Sequence, residues 1–194
     1  FRQGDQPWMP FEAEQYYTTD PPAFVWKVKM KAFPLVSIMG RDMYSEGRGN
    51  MLIRLPPFIT LADARGDEID QGTLLRYLNE IMWFPSAYLS EYIRWEPIDS
   101  TSARATMNYR GINASAALYF NEKGELTDFV AQRYMGIDGK YSLETWSTPI
   151  TEYREIGGYR LPVKGEGVWK LGTGDFPYIR LEITDIEYNH ASLY

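Results

Sequence analysis

The chain has 194 residues, with 20 Lys and Arg against 26 Asp and Glu, one histidine and no cysteine. A net charge of −6 repels a phosphate backbone, so nucleic acid is not the expected partner. The absent cysteines remove disulfide frameworks, thiolate metal sites and cysteine nucleophiles, and the lone His190 rules out an HExxH zinc motif and argues against a Ser-His-Asp triad. A compact fold of 22.5 kDa exposes about 9,500 Å², where the extended chain exposes about 33,000 Å². That suffices for one core, and a single domain over residues 1–194 is expected. No run approaches the ~18 apolar residues of a membrane span. The chain opens on Phe1, and a membrane anchor or signal ahead of it is expected.

The dominant period is two. Strands are expected at Trp8–Thr18, Phe24–Phe33, Leu35–Tyr44 and Gly47–Leu55. In the second, Trp26, Val28, Met30 and Ala32 alternate with Lys27, Lys29 and Lys31, the pattern of a half-buried antiparallel strand. The lysine stripe suits a solvated sheet face, or anionic headgroups. The acidic run from Asp63 to Asp70 lacks the spacing of a calcium loop.

One segment breaks the period. Over residues 70–84, Leu74, Leu75, Leu78, Ile81 and Met82 fall within an arc of about 120° at helical spacing. This is the one main helix expected, with Asp67 and Asp70 before it as caps and Pro85 as its stop. Ser86–Tyr92 suits one more short turn.

The period of two then resumes at Tyr92–Pro97, Ala103–Tyr109, Ala114–Phe120, Leu126–Met135, Tyr141–Trp146, Tyr159–Leu171 and Tyr178–Asn189. Asn121-Glu122-Lys123-Gly124 reads as a hairpin loop. About ten strands with one segregated helix predict an α+β, mainly β fold, a curved antiparallel sheet or unclosed half-barrel packed on that helix.

Nine Phe, fifteen Tyr, six Trp and eight Met are a heavy load for one core. Such side chains either fill the space between sheet and helix or line an apolar pocket. As pocket lining we single out Trp26, Met30, Trp83, Met107 and Trp146. Arg76 and Glu80, four apart on the helix, are expected at the mouth as polar orienters. Trp83 falls roughly 150° from the centre of the apolar arc, beside Arg76, Asn79 and Glu80. Either that second face meets a ligand, a membrane or a partner, or Trp83 lies past the helix end. Glu166, Glu144 and Asp128 sit among strands as acidic groups, and no motif raises any of them to a catalytic role. No phosphate loop, nucleophile elbow or dinucleotide fingerprint occurs, and neither a metal nor another cofactor is expected.

Several stretches resemble an uncharacterised prokaryotic family over most of the chain. They are Trp8–Gln15, Phe24-Val25-Trp26, Leu74–Pro85, Gly157–Pro162 and Ile183–Asn189. The resemblance implies a membrane helix ahead of this domain and no established activity. More distantly, the strand order, the hairpin at Asn121–Gly124 and the turn at Gly158–Pro162 are similar to the lipoprotein-carrier superfamily. That likeness implies a half-barrel over helices with an apolar cavity for acyl chains.

Three functions are open at this point. The first is a non-enzymatic, extracytoplasmic, membrane-associated domain that binds a lipid or other hydrophobic molecule between sheet and helix. The second is a structural or protein-interaction module of a membrane-anchored protein, with an apolar patch near Trp83. The third is a hydrolase using a carboxylate pair.

Overall fold

The computed structural model describes residues 1–33, 36–57, 59–137 and 139–189. The expected strand start at Leu35, and His190, lie outside them. Five strands come first: β1 (Phe11–Thr19), β2 (Pro22–Phe33), β3 (Val36–Ser45), β4 (Arg48–Leu55) and β5 (Ile59–Ala64). Each pairs antiparallel with the next in one sheet. The helix α1 (Asp67–Glu80) follows, then 3-10 turns at Ile81–Trp83 and Pro85–Leu89.

Eight strands form the second sheet: β6 (Ile93–Asp99), β7 (Ser102–Tyr109), β8 (Ile112–Phe120), β9 (Leu126–Ile137), β10 (Lys140–Ser147), β11 (Ile150–Ile156), β12 (Tyr159–Leu171) and β13 (Gly174–Glu182). Its order is β11-β12-β10-β9-β8-β7-β6, with β13 also paired to β12. The long β12 serves two neighbours in turn. Tyr159–Gly165 pairs with β11, and Val168–Lys170 pairs with β10.

The fold is α+β and mainly β, with open antiparallel sheets and one main helix, as the periodicity predicts. The sheet is divided in two, however, and the described residues form thirteen strands. Two strands escaped the alternation rule. In β5 the large apolar residues Ile59 and Leu61 face solvent and the small Ala62 and Ala64 are half-buried, so its pattern is inverted. β11 is short, and its residues are half-buried or exposed. At the other extreme, β13 ends at Glu182, and Ile183–Asn189 is irregular.

Residues packed from both sides explain the helix. α1 lies on β3 and β4 of the first sheet and on β8 and β9 of the second. Leu74, Leu75, Leu78 and Ile81 are fully buried. Ala105, Ala116 and Ala131 stand side by side in register across β7, β8 and β9, all buried. On the other side Gly49 makes the same allowance. A Cβ there would lie 2.8 Å from the Ile69 carbonyl and closer still to the Thr73 hydroxyl.

The helix begins at Asp67, three residues before the expected start at 70, so Asp67 and Asp70 stand inside its first turn and cap nothing by side-chain hydrogen bond. Both still favour the positive helix end. Asp70 is buried and ties α1 to β4, accepting from the Gly49 amide at 2.6 Å and from Arg48 Nη1 at 2.8 Å. At the far end the residue before Pro85 leaves helical geometry, as its sterics require.

The accessible surface is 11945 Å², above the ~9,500 Å² of a compact fold of this mass. The excess reflects two sheets that part on one side of the helix. Among the described residues no helix is long and apolar enough to cross a membrane. Leu78→Ala should lower unfolding free energy by about 2–5 kcal/mol, read from urea denaturation, because both sheets hold the vacated space open. A loss below about 1 kcal/mol would mean that α1 is not clamped as described.

Candidate functional site

The register of the first sheet sets one row across its inner face. Gln15, Trp26, Asp42, Met51 and Ala64 are direct neighbours from β1 to β5. α1 lowers Arg76 onto this row. Its Nε donates to Glu80 Oε1 at 2.8 Å, Nη1 to Asp42 Oδ2 at 2.6 Å and Nη2 to Gln15 Oε1 at 2.9 Å. Gln15 Nε2 returns to Glu80 Oε2 at 2.7 Å, and the Tyr17 hydroxyl donates to the same oxygen at 3.2 Å. The guanidinium carbon lies 4.7 Å from the Trp26 ring centroid and 5.0 Å from that of Phe24. Desolvation opposes the charge on Arg76, but the carboxylates of Glu80 and Asp42 outweigh it and raise the pKa. Burial, and then the Glu80 charge, push the Tyr17 phenol well up. Asp42 Oδ1 is buried with no hydrogen-bond partner among the described residues.

This row is the floor of a cleft of about 1570 Å³ between the two sheets. The opposite wall comes from β9, β10, β12 and β13. On it Arg133 lies over the Trp146 ring at 4.5 Å, and Tyr178 stacks on Trp169 with centroids 5.8 Å apart. Trp146 Nε1 donates to the Tyr178 hydroxyl at 3.2 Å. Between floor and wall, Asn79 Nδ2 donates to Thr148 Oγ1 at 2.9 Å. Behind it Asp128 accepts from Ser147 Oγ at 2.9 and 2.8 Å, from the Thr148 amide at 3.0 Å and from the Phe129 amide at 2.8 Å.

Of the residues singled out from sequence, Trp26, Arg76, Glu80, Trp83 and Trp146 line this cleft. Met30 and Met107 do not. Met107 is core between β6 and β8, and Met30 stands beyond the lining, opposite Phe11 and Ile38. Arg76 and Glu80 sit on the floor and not at the mouth, with side chains only 15% and 11% exposed. Trp83 is past the α-helix, in the 3-10 turn, where the helical wheel stops applying. Its Nε1 donates to the Pro162 carbonyl at 2.9 Å, and it is 7% exposed. The exposed apolar patch expected there is therefore not at Trp83. Large exposed apolar residues include Leu89, in the 3-10 turn that follows, and Ile59, Leu61, Ile137 and Leu143.

Asp42 and Glu80 share Arg76, and Glu152 and Glu182 share Lys164. Glu166 pairs with Arg180 at 2.7 Å, Asp63 accepts from Asn50 Nδ2 at 2.7 Å, and Glu144 stands opposite Arg133 in the β9–β10 register without an ion pair. Among the described residues no three His, Asp or Glu side chains gather where they could hold a metal ion. Lys27, Lys29 and Lys31 face solvent, with Glu14 and Glu12 opposite Lys27 and Lys29.

Sequence reading missed Gln15, Asp42, Arg133, Trp169 and Tyr178. Three of them carried a signal. Gln15 follows Phe11 and Ala13, Asp42 follows Ile38 and Gly40, and Arg133 follows Phe129 and Ala131, so each is polar on the inward phase of its strand.

A family model matches residues 1–181, from the N-terminal segment into β13, and so spans every cleft residue named above. The chain belongs to DUF6544, a family of unknown function. No curated protein and no solved structure matches it. For this member of DUF6544, the cleft geometry is therefore the main guide to what the domain does.

Two predictions follow from its polar groups. Arg76→Met leaves Asp42 and Glu80 as buried, uncompensated carboxylates and should cost about 3–5 kcal/mol in urea denaturation. A cost below about 1 kcal/mol would show the network to be solvated. Asp128 is perturbed in the other sense. Burial raises its pKa above the ordinary 3.8, and the hydrogen bonds from Ser147, Phe129 and Thr148 only partly offset this. Its raised value stabilises the fold below pH 3.8, and that contribution is lost as pH climbs through the folded-state value. The native protein should therefore lose stability relative to Asp128→Asn as pH rises from there, and a difference independent of pH would refute the assignment.

Proposed function

We propose that this domain binds a lipid or another hydrophobic molecule in the cleft between its sheets, without catalysing a reaction. The observation that carries the reading is the cleft itself. At about 1570 Å³ it exceeds the ~300–1,000 Å³ of ordinary small-molecule pockets, which suits a long or branched apolar ligand. Trp26, Met82, Trp83, Trp146, Ile150 and Val163 give it apolar contact area, beside charged lining residues such as Asp42, Arg76, Glu80 and Arg133. The carboxylates on the floor are engaged by Arg76, which fits a binding role better than acid–base work. We place the domain outside the cytoplasm at a membrane. Support comes from its resemblance to proteins with a membrane helix ahead of the domain, and from its open sheets over a helix, the layout of the lipoprotein carriers.

Native mass spectrometry of the freshly purified domain, followed by solvent extraction and lipid analysis, tests this. A reproducible adduct of lipid mass is the expected result. A clean apo mass, repeated after incubation with membrane extract, would overturn it. The exposed Ile59, Leu61, Ile137 and Leu143 would then favour a second reading, a protein-interaction module, which crosslinking of the full-length protein would reveal.

A further inference from the structure

The cations that line the cleft are not equivalent. Arg76 is held by Asp42 and Glu80, Lys164 by Glu152 and Glu182, and Arg180 by Glu166. Arg133 is the one cationic side chain of the lining that forms no ion pair among the described residues. Glu144, its register neighbour, is the acidic group best placed to reach it and does not. The Arg133 side chain stands on the inward phase of β9, with its Nε 3.8 Å from where a Cβ on Gly72 of α1 would be. Its guanidinium carbon is 4.5 Å from the Trp146 ring centroid and 5.9 Å from that of Trp169.

The hydrogen bonds around it are unbalanced toward donors. The Tyr178 oxygen accepts from Arg133 Nη1 at 3.4 Å and from Trp146 Nε1 at 3.2 Å. The Tyr178 O–H, Arg133 Nε and Arg133 Nη2 then have no acceptor among the described residues. Donors grouped on an aromatic wall, beside a cation without a counter-charge, call for an anionic acceptor. Arg suits this task because its fork matches the oxygens of carboxylate and phosphate.

We infer that Arg133 and Tyr178 form an anion subsite, and that the cleft takes an acyl chain ending in a carboxylate or phosphate. This rests on the lipid-binding reading above and names the chemistry of its ligand. The head is held at Arg133, and the chain lies on Trp146 and the apolar lining beyond it.

Quenching of tryptophan fluorescence by brominated lipids tests the inference. The probes are brominated stearate, its methyl ester, and phosphatidate with the same brominated chains, each titrated into the intact domain. The native protein should bind at least one anionic probe about tenfold or more tighter than the ester. Preference for stearate points to a free fatty acid, and preference for phosphatidate to a phospholipid head. Arg133→Gln should abolish the preference, so that anionic probe and ester bind alike, Arg133→Lys should restore part of it, and Tyr178→Phe should weaken it several-fold. Thermal melts confirm that each variant is folded. Should Arg133→Gln not fold, Arg133→Lys and Tyr178→Phe decide the question. Equal binding of acid and ester by the native protein, or a preference untouched by every folded variant, overturns the anion subsite and leaves the apolar cleft standing. Binding of no probe overturns the lipid reading as well.

Discussion

Everything in this fold answers to one constraint, the burial of α1 between two sheets. A helix covered on one side can turn its polar face to water. This one cannot, so Asp70, Thr73, Arg76, Asn79 and Glu80 must find partners inside. They do so along one stripe. Asp70 binds the β4 backbone, Thr73 donates to the Ile69 carbonyl, Arg76 and Glu80 engage the floor row, and Asn79 reaches Thr148 on the far sheet. Each contact satisfies a group that would otherwise be costly to bury, and those of Asp70, Arg76, Glu80 and Asn79 tie the helix to the two sheets.

The cleft follows from the same geometry. Alanines at Ala105, Ala116 and Ala131 let the second sheet close on α1, while Trp146 and Trp169 continue that register row and keep the sheets apart beyond it. Small residues permit contact and large ones hold the walls open. Arg76 meets tryptophan on the floor and Arg133 meets it on the wall, but their charge balance is opposite. Two carboxylates face Arg76, and none among the described residues pairs with Arg133. The wall is therefore where the proposed subsite would hold an external anion.

Alternating residues such as those from Ala103 to Tyr109 announce their strands because one face of each is wet. β5 was hidden since its bulky residues point outward, and the helix start was misplaced since Asp67 and Asp70 resemble caps in isolation. Trp26, Trp83 and Trp146 were legible as lining because tryptophan beyond the needs of a small core stands out. Met107 was not separable from them, since an inward methionine reads the same whether it meets a wall or a void.

By itself the sequence determined the strand period, the single helix, the absence of thiol chemistry and the surplus of aromatic side chains. These depend on residue type and local spacing. Tertiary structure alone decided that the sheet divides in two, that Arg76 belongs to the floor, and that Arg133 has no counter-ion among the described residues. Those are matters of register and distance between strands far apart in the chain. A single polar residue on the inward phase of a strand marks a position for chemistry, but only its neighbours across the cleft show whether its charge is already answered.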